Sequence, residues 1–190
     1  LVATRLILHI ALRFGLVDKL NARKIHSSPI PRVGGIAIIF GLLISLTVGS
    51  WIGAINLQAE GIPSLLLGTL GMFLLGFVDD IFELSALLKL CTQIAIASSV
   101  VYGGGGFSAD RFPFRPDPWL CAVISVVWLV AVTNAVNLID GMDSLASGVG
   151  ILVAVTLGTT SFLVGVPTPA IIALGLVSSL SGFFAFNYHP

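Results

Sequence analysis

Apolar and polar positions alternate along this chain on a long scale. Apolar runs, each closed by a short polar stretch, fall near 33–55, 62–78, 86–102, 118–137, 145–165 and 168–187. A helix rising about 1.5 Å per residue needs about 17–25 apolar residues to cross roughly 30 Å of hydrocarbon, and the runs match that length. The pattern predicts an all-α fold, a polytopic transmembrane helical bundle of about six spanning helices. Residues 1–14 differ: Arg5, His9 and Arg13 recur every four positions, with Leu6, Ile7, Ile10 and Phe14 on the other side. That is the pattern of an N-terminal interfacial helix lying on the membrane. Between the third and fourth runs, Gly103–Gly106 leads into FSADRFPFRPDP, which is rich in Gly and Pro and reads as a flexible connector. The glycine run lacks the Lys-Ser/Thr ending of a phosphate-binding loop.

Composition turns this pattern into a class. Of 190 residues, 56% are hydrophobic and 9% charged, where soluble domains carry about 25% charged residues, and the mean hydropathy is +1.07. The chain reads as one integral membrane domain over 1–190. A formal net charge of zero gives no hint of a nucleic-acid partner. Cys91 and Cys121 both lie inside apolar runs, so neither a disulfide framework nor a metal-ligand spacing can be built from them. Leu1–Arg13 carries three basic side chains in its apolar stretch and does not read as a cleavable signal peptide. A fragment lacking its true start is the expectation.

Loop charges predict an orientation. Residues 13–32 hold Arg13, Lys19, Arg23, Lys24 and Arg32 against Asp18, whereas 56–61 holds only Glu60. Excess Lys and Arg mark cytoplasmic loops, so 13–32 is placed in the cytoplasm. Alternation then puts 79–85, 138–144 and the terminal NYHP on that side, with 103–117 and 166–167 outside. Arg111 and Arg115 in the outer loop run against the rule, although Asp110 and Asp117 stand beside them. Asp79, Asp80, Glu83, Asp140 and Asp143, five of the nine acids, are thereby gathered on the cytoplasmic face.

Three polar stretches on that face carry candidate chemistry. In GFVDDIFELSALLKL, residues 76–90, Asp79 and Asp80 directly follow an apolar segment, and on a helix that persisted Glu83 would lie one turn beyond Asp79 on the same face. Adjacent carboxylates near hydrocarbon repel each other and are costly to desolvate, so a positive partner is expected. Mg²⁺ suits them, being held by one or two carboxylates, water and substrate phosphates. The plain alternative is a short acidic loop. In NAVNLIDGMDS, residues 134–144, Asn134 and Asn137 project from neighbouring helical positions, Gly141 can end the helix, and Asp140 and Asp143 flank the turn. Amides that only cap a turn are the bland reading; a substrate pocket accounts better for four polar groups at a membrane border. In NARKIHSSPIPRVGG, residues 21–35, Arg23, Lys24, His26 and Arg32 supply cationic donors, two prolines stiffen the loop, and Gly34–Gly35 allows close backbone approach. Phosphate binding uses this chemistry, and so does attraction to anionic headgroups.

Taken in order, RKIHSSPIPRVGG, VDDIFELSALLKL, NAVNLIDGMDSLASG and FNYHP resemble the polyprenyl-phosphate N-acetylhexosamine-1-phosphate transferases over nearly the whole chain. RKIH and PRVGG look more like the branch that transfers N-acetylglucosamine 1-phosphate than the related phospho-N-acetylmuramoyl-pentapeptide transferases. The resemblance implies Mg²⁺-dependent transfer, with Mn²⁺ as a substitute ion, of a sugar 1-phosphate from a UDP-N-acetylhexosamine to undecaprenyl phosphate, releasing UMP. It implies a multi-pass protein of the bacterial cytoplasmic membrane with its site facing the cytoplasm, and leaves a homodimer open. Carried over by residue, it assigns Asp79 and Asp80 to catalysis and metal. It assigns Asn134, Asn137, Asp140, Asp143 and Asn187 to the nucleotide-sugar; Arg23, Lys24, His26 and Arg32 are, from their own chemistry, the candidates for binding phosphate, that of the lipid included. Ser144 and Ser27 depart from the common pattern, in which Gly and a basic residue stand. A further metal-binding Asp and a histidine-rich loop would follow Pro190, so residues 1–190 alone are expected not to turn over.

Two other classes use similar residues. An ion-coupled carrier keeps its acids near the bilayer midplane, at broken helices, whereas these cluster at span ends. A membrane prenyltransferase of the aromatic-acceptor kind typically shows N-D-x-x-D, and 79–83 reads D-D-I-F-E.

Overall fold

The computed structural model describes residues 34–140 and 145–187, and every regular element among them is helical. We label the α-helices α1 (Gly34–Trp51), α2 (Ile62–Phe82), α3 (Ala86–Val100), α4 (Pro118–Ile139), α5 (Leu145–Leu163) and α6 (Pro167–Asn187). Five stretches, Ile62–Phe82, Ala86–Gly105, Pro118–Ile139, Leu145–Leu163 and Pro167–Ala185, are long and apolar enough to cross a membrane, and α1 is apolar but shorter. The protein is a polytopic helical membrane protein. Large apolar side chains such as Leu67, Leu87, Leu152 and Phe162 stand exposed along the helices, as expected where lipid replaces water as the solvent. The interfacial helix expected over residues 1–14 lies outside the described residues.

The expected first span, 33–55, is cut short. Helix α1 ends at Trp51, because Gly53 takes a left-handed φ of 71°. The N–H groups of Ala54 and Ile55 then both donate to Gly49 O, at 2.8 and 3.1 Å. The apolar run continues, but its last residues fold back, burying Ile55 against Gly49.

The described helices fall into two compact units, one drawn from Leu1–Asn56 and Ile139–Pro190, the other spanning Leu57–Leu138. In the first, α1 and α6 run antiparallel along a seam of small residues. A Cβ on Gly41 would meet Ser179, one on Gly175 would meet Ser45, and one on Gly49 would meet Ile55 and Ile171. Ser179 Oγ also donates to Ile38 O at 2.7 Å, fastening the two helices. Helix α5 packs against α6 in the same manner, with Gly158 facing Ala173 and Gly150 facing Leu180. Apolar burial drives little helix association in lipid, so close packing of small residues and interhelical hydrogen bonds take its place.

The second unit contains α2, α3 and α4. Gly68 and Gly71 of α2 receive Val100 and Ile96 of α3. The glycine run, read above as a flexible connector, is packed. Val101–Gly105 forms a π-helical turn in which only Gly104 leaves helical geometry, at φ 87°. Ser64 Oγ donates to Gly103 O at 2.9 Å, and Phe107 N–H donates to Ser125 Oγ on α4 at 2.8 Å. Side chains at 103, 105 and 106 would strike Ser64, Val100 and Ser125 respectively, so these glycines serve close approach. This turn closes one end of the unit.

Candidate active site

The opposite end of this unit holds the first acidic motif. Helix α2 does not stop before the two aspartates; it runs on to Phe82, so Asp79 and Asp80 occupy its last turn. Negative side chains there oppose the helix dipole, at a cost of about 0.3–1 kcal/mol each when exposed. Local bonds stabilise the arrangement. Glu83 adopts a left-handed conformation at φ 50° and donates its N–H to Asp79 O at 2.8 Å. Asp79 Oδ1 then accepts the N–H of Leu84 at 3.1 Å, and Ser85 caps α3 by accepting from Leu88 N at 3.4 Å. The expectation that Glu83 continues the helical face of Asp79 is therefore corrected: Glu83 leaves the helix because its backbone makes the turn.

The positive partner sought for the aspartates includes one from the chain itself. Lys89 Nζ lies 2.6 Å from Asp79 Oδ2, each side chain 22% exposed. Both oxygens of Asp79 thus accept a hydrogen bond from the turn or from α3, while Asp80 next to it is exposed. One turn further along α3, Gln93 is only 2% exposed. Its Oε1 accepts from Asn134 Nδ2 at 2.7 Å, and the same nitrogen donates to Val130 O at 2.8 Å. Lys89 and Gln93, four residues apart and so about 6 Å along one face, make α3 a strut. It holds Asp79 of α2 on one rung and Asn134 of α4 on the next.

Two of the predicted site residues are thus brought to one end of one unit, with Asp80 adjacent to the first. Asn137 is exposed on the last turn of α4, Asp140 is exposed just after it, and Asn187 is the last residue of α6. Asp143 and the basic set Arg23, Lys24, His26 and Arg32 lie outside the described residues. Neither Lys89 nor Gln93 emerged from the motif reading. Their signal was available as a lone cation and an amide at helical spacing inside an apolar span, where polar groups are rare and need partners.

Among the described residues no group of three or more His, Cys, Asp or Glu could hold a metal ion. The donors present still fit Mg²⁺ in one mode: hard carboxylate oxygens from the aspartate pair, with the remaining positions filled by water and substrate phosphates. A zinc-like site of nitrogen and sulfur ligands finds no support in these donors.

Comparison with known proteins gives the family. The model of glycosyl transferase family 4 matches residues 62–190, and the chain belongs to that family. A relative from Bacillus subtilis (strain 168), named a probable undecaprenyl-phosphate N-acetylglucosaminyl 1-phosphate transferase, is 30% identical over 100% of this chain and 53% of its own length. The decaprenyl-phosphate N-acetylglucosaminephosphotransferase of Mycolicibacterium smegmatis is 29% identical over 95% of the chain and 48% of its own length. A phospho-N-acetylmuramoyl-pentapeptide-transferase of Shouchella clausii is 31% identical over 94% and 60%. The chain spans about half the length of the curated relatives it matches. No solved structure matches it.

Proposed function

We propose that the protein transfers N-acetylglucosamine 1-phosphate from UDP-N-acetylglucosamine to undecaprenyl phosphate, releasing UMP, at the cytoplasmic face of the bacterial inner membrane. The observation that carries this reading is the α3 strut, which ties one residue of the acidic motif, Asp79, and one of the amide motif, Asn134, to successive turns of one helix in a family 4 chain. The names of the relatives from Bacillus subtilis and Mycolicibacterium smegmatis support the donor and the lipid acceptor.

Phosphoryl transfer asks a protein for positioning and charge compensation more than for covalent chemistry. In this reading Asp79 and Asp80 would hold Mg²⁺, with its remaining positions filled by water and phosphate oxygens. Asp79 is fixed by Lys89 and Leu84, keeping the pair at one orientation. Mg²⁺, when bound, neutralises charge developing on the diphosphate. Asn134, Asn137, Asp140, Asp143 and Asn187 take the nucleotide-sugar; Arg23, Lys24, His26 and Arg32 take the phosphate of the lipid.

The product of the complete reading frame is expected to release UMP from UDP-N-acetylglucosamine and undecaprenyl phosphate, with EDTA stopping the reaction and Mg²⁺ or Mn²⁺ restoring it. Release from UDP-N-acetylmuramoyl-pentapeptide instead would move the protein to the other branch, and movement of labelled solute without UMP would make it a carrier.

Topology offers a separate check. With Cys91 and Cys121 replaced, a cysteine at Ser85, in the turn after the aspartates, is expected to react with an impermeant maleimide only from the cytoplasm. One at Ser108, beyond the glycine turn at the other end of the unit, should react only from outside. Labelling of Ser85→Cys from outside would reverse the proposed orientation.

A further inference from the structure

We infer that Gln93 is a positioning residue for the nucleotide-sugar, fixing the amide of Asn134 so that its oxygen, and not its NH₂ group, is offered to the ligand. The inference rests on the assignment of Asn134 to the nucleotide-sugar under the proposed function. Amide orientation is settled here by chemistry. Val130 O is a backbone carbonyl and can only accept, so the Asn134 atom 2.8 Å from it is the NH₂ nitrogen. The second hydrogen of that nitrogen goes to Gln93 Oε1 at 2.7 Å. With both hydrogens engaged, Oδ1 is the polar atom of Asn134 left to accept from a ligand N–H or O–H.

Neither contact alone would hold this arrangement. The bond to Val130 lies within α4 and leaves one N–H hydrogen of Asn134 uncommitted. Gln93 comes from α3, is 2% exposed, and therefore cannot exchange its contact for bulk water. Such a pair, in a setting of low dielectric, is stronger than its equivalent in water and costly to break on one side only. The ligand class that fits is a nucleotide-sugar presenting a donor, whether a uracil N–H, a ribose or sugar hydroxyl or an acetamido N–H. Donors on undecaprenyl phosphate are absent once its phosphate is ionised, so Gln93 should influence one substrate and not the other.

The test is steady-state kinetics on the complete reading frame with two variants. Gln93→Glu keeps an acceptor oxygen at the same reach, charged or protonated, and Gln93→Met keeps the length and removes the acceptor. Gln93→Met is expected to raise KM for UDP-N-acetylglucosamine about tenfold, the scale of one hydrogen bond, with KM for undecaprenyl phosphate within about twofold. Gln93→Glu should stay within about threefold for both substrates. In an Asn134→Ala background, Gln93→Met should add nothing. If Gln93→Met fails to accumulate as folded protein, Gln93→Asn, which withdraws the acceptor by one methylene, makes the same comparison. Equal behaviour of the Glu and Met variants, a parallel rise in both KM values, or additivity with Asn134→Ala would overturn the inference while leaving the proposed function standing. A wild-type protein inactive on every UDP-sugar overturns both.

Discussion

Asp80→Asn is expected to lower turnover by about 10²-fold or more, the usual effect of removing one electrostatic group from a preorganised site, while the protein still folds. Asp80 is exposed in the last turn of α2, adjacent to Asp79 in sequence. Asparagine keeps the size of the side chain and removes its charge, so a loss of turnover in a folded variant reports on the charge alone. The measurement is UMP release beside thermal unfolding of the same purified variant. Near-normal release would return the aspartate pair to the role of an acidic helix end.

The spans were legible because lipid imposes a coarse rule on sequence, and a run of apolar residues of membrane length has few other uses. Their ends were less so. The aspartates read as the start of a loop, yet α2 continues through them to Phe82, because the turn that ends it is built from Asp79 itself, by carbonyl and carboxylate. Gly103–Gly106 has the composition of a linker, and the atoms that require glycine there, in Ser64, Val100 and Ser125, come from neighbouring helices or the preceding turn. For the same reason Asp79 and Asn134 could be named from motifs, whereas Lys89 and Gln93, which join them, could not. Their spacing of four shows that they share a helical face. Which helices that face would meet is a fact of tertiary packing.

Lys89→Met is expected to show a clear loss of stability together with a loss of turnover. Lys89 holds Asp79 at 2.6 Å with both side chains 22% exposed, between the solvent-exposed pairs that contribute about 0–1 kcal/mol and the buried ones whose breaking costs about 3–5 kcal/mol. Loss of about 2 kcal/mol follows for a site at this depth. Methionine keeps the apolar stem, so packing along α3 changes little and the charge is what is removed. Asp79 then stands beside Asp80 at a helix C-terminus without its lysine, and its carboxylate is free to swing away from the turn. The double variant Asp79→Asn/Lys89→Met removes both charges and should recover most of the stability, since an amide can still accept from Leu84 N–H. Turnover should not recover, because the held carboxylate is still missing. Lys89→Arg, which keeps the charge but widens the head group and changes its geometry, should preserve stability better than Lys89→Met. Measuring melting temperature and UMP release on all three variants decides the point. If the double variant is no more stable than Lys89→Met alone, the lysine acts through packing, and the ion pair does not tie α3 to α2.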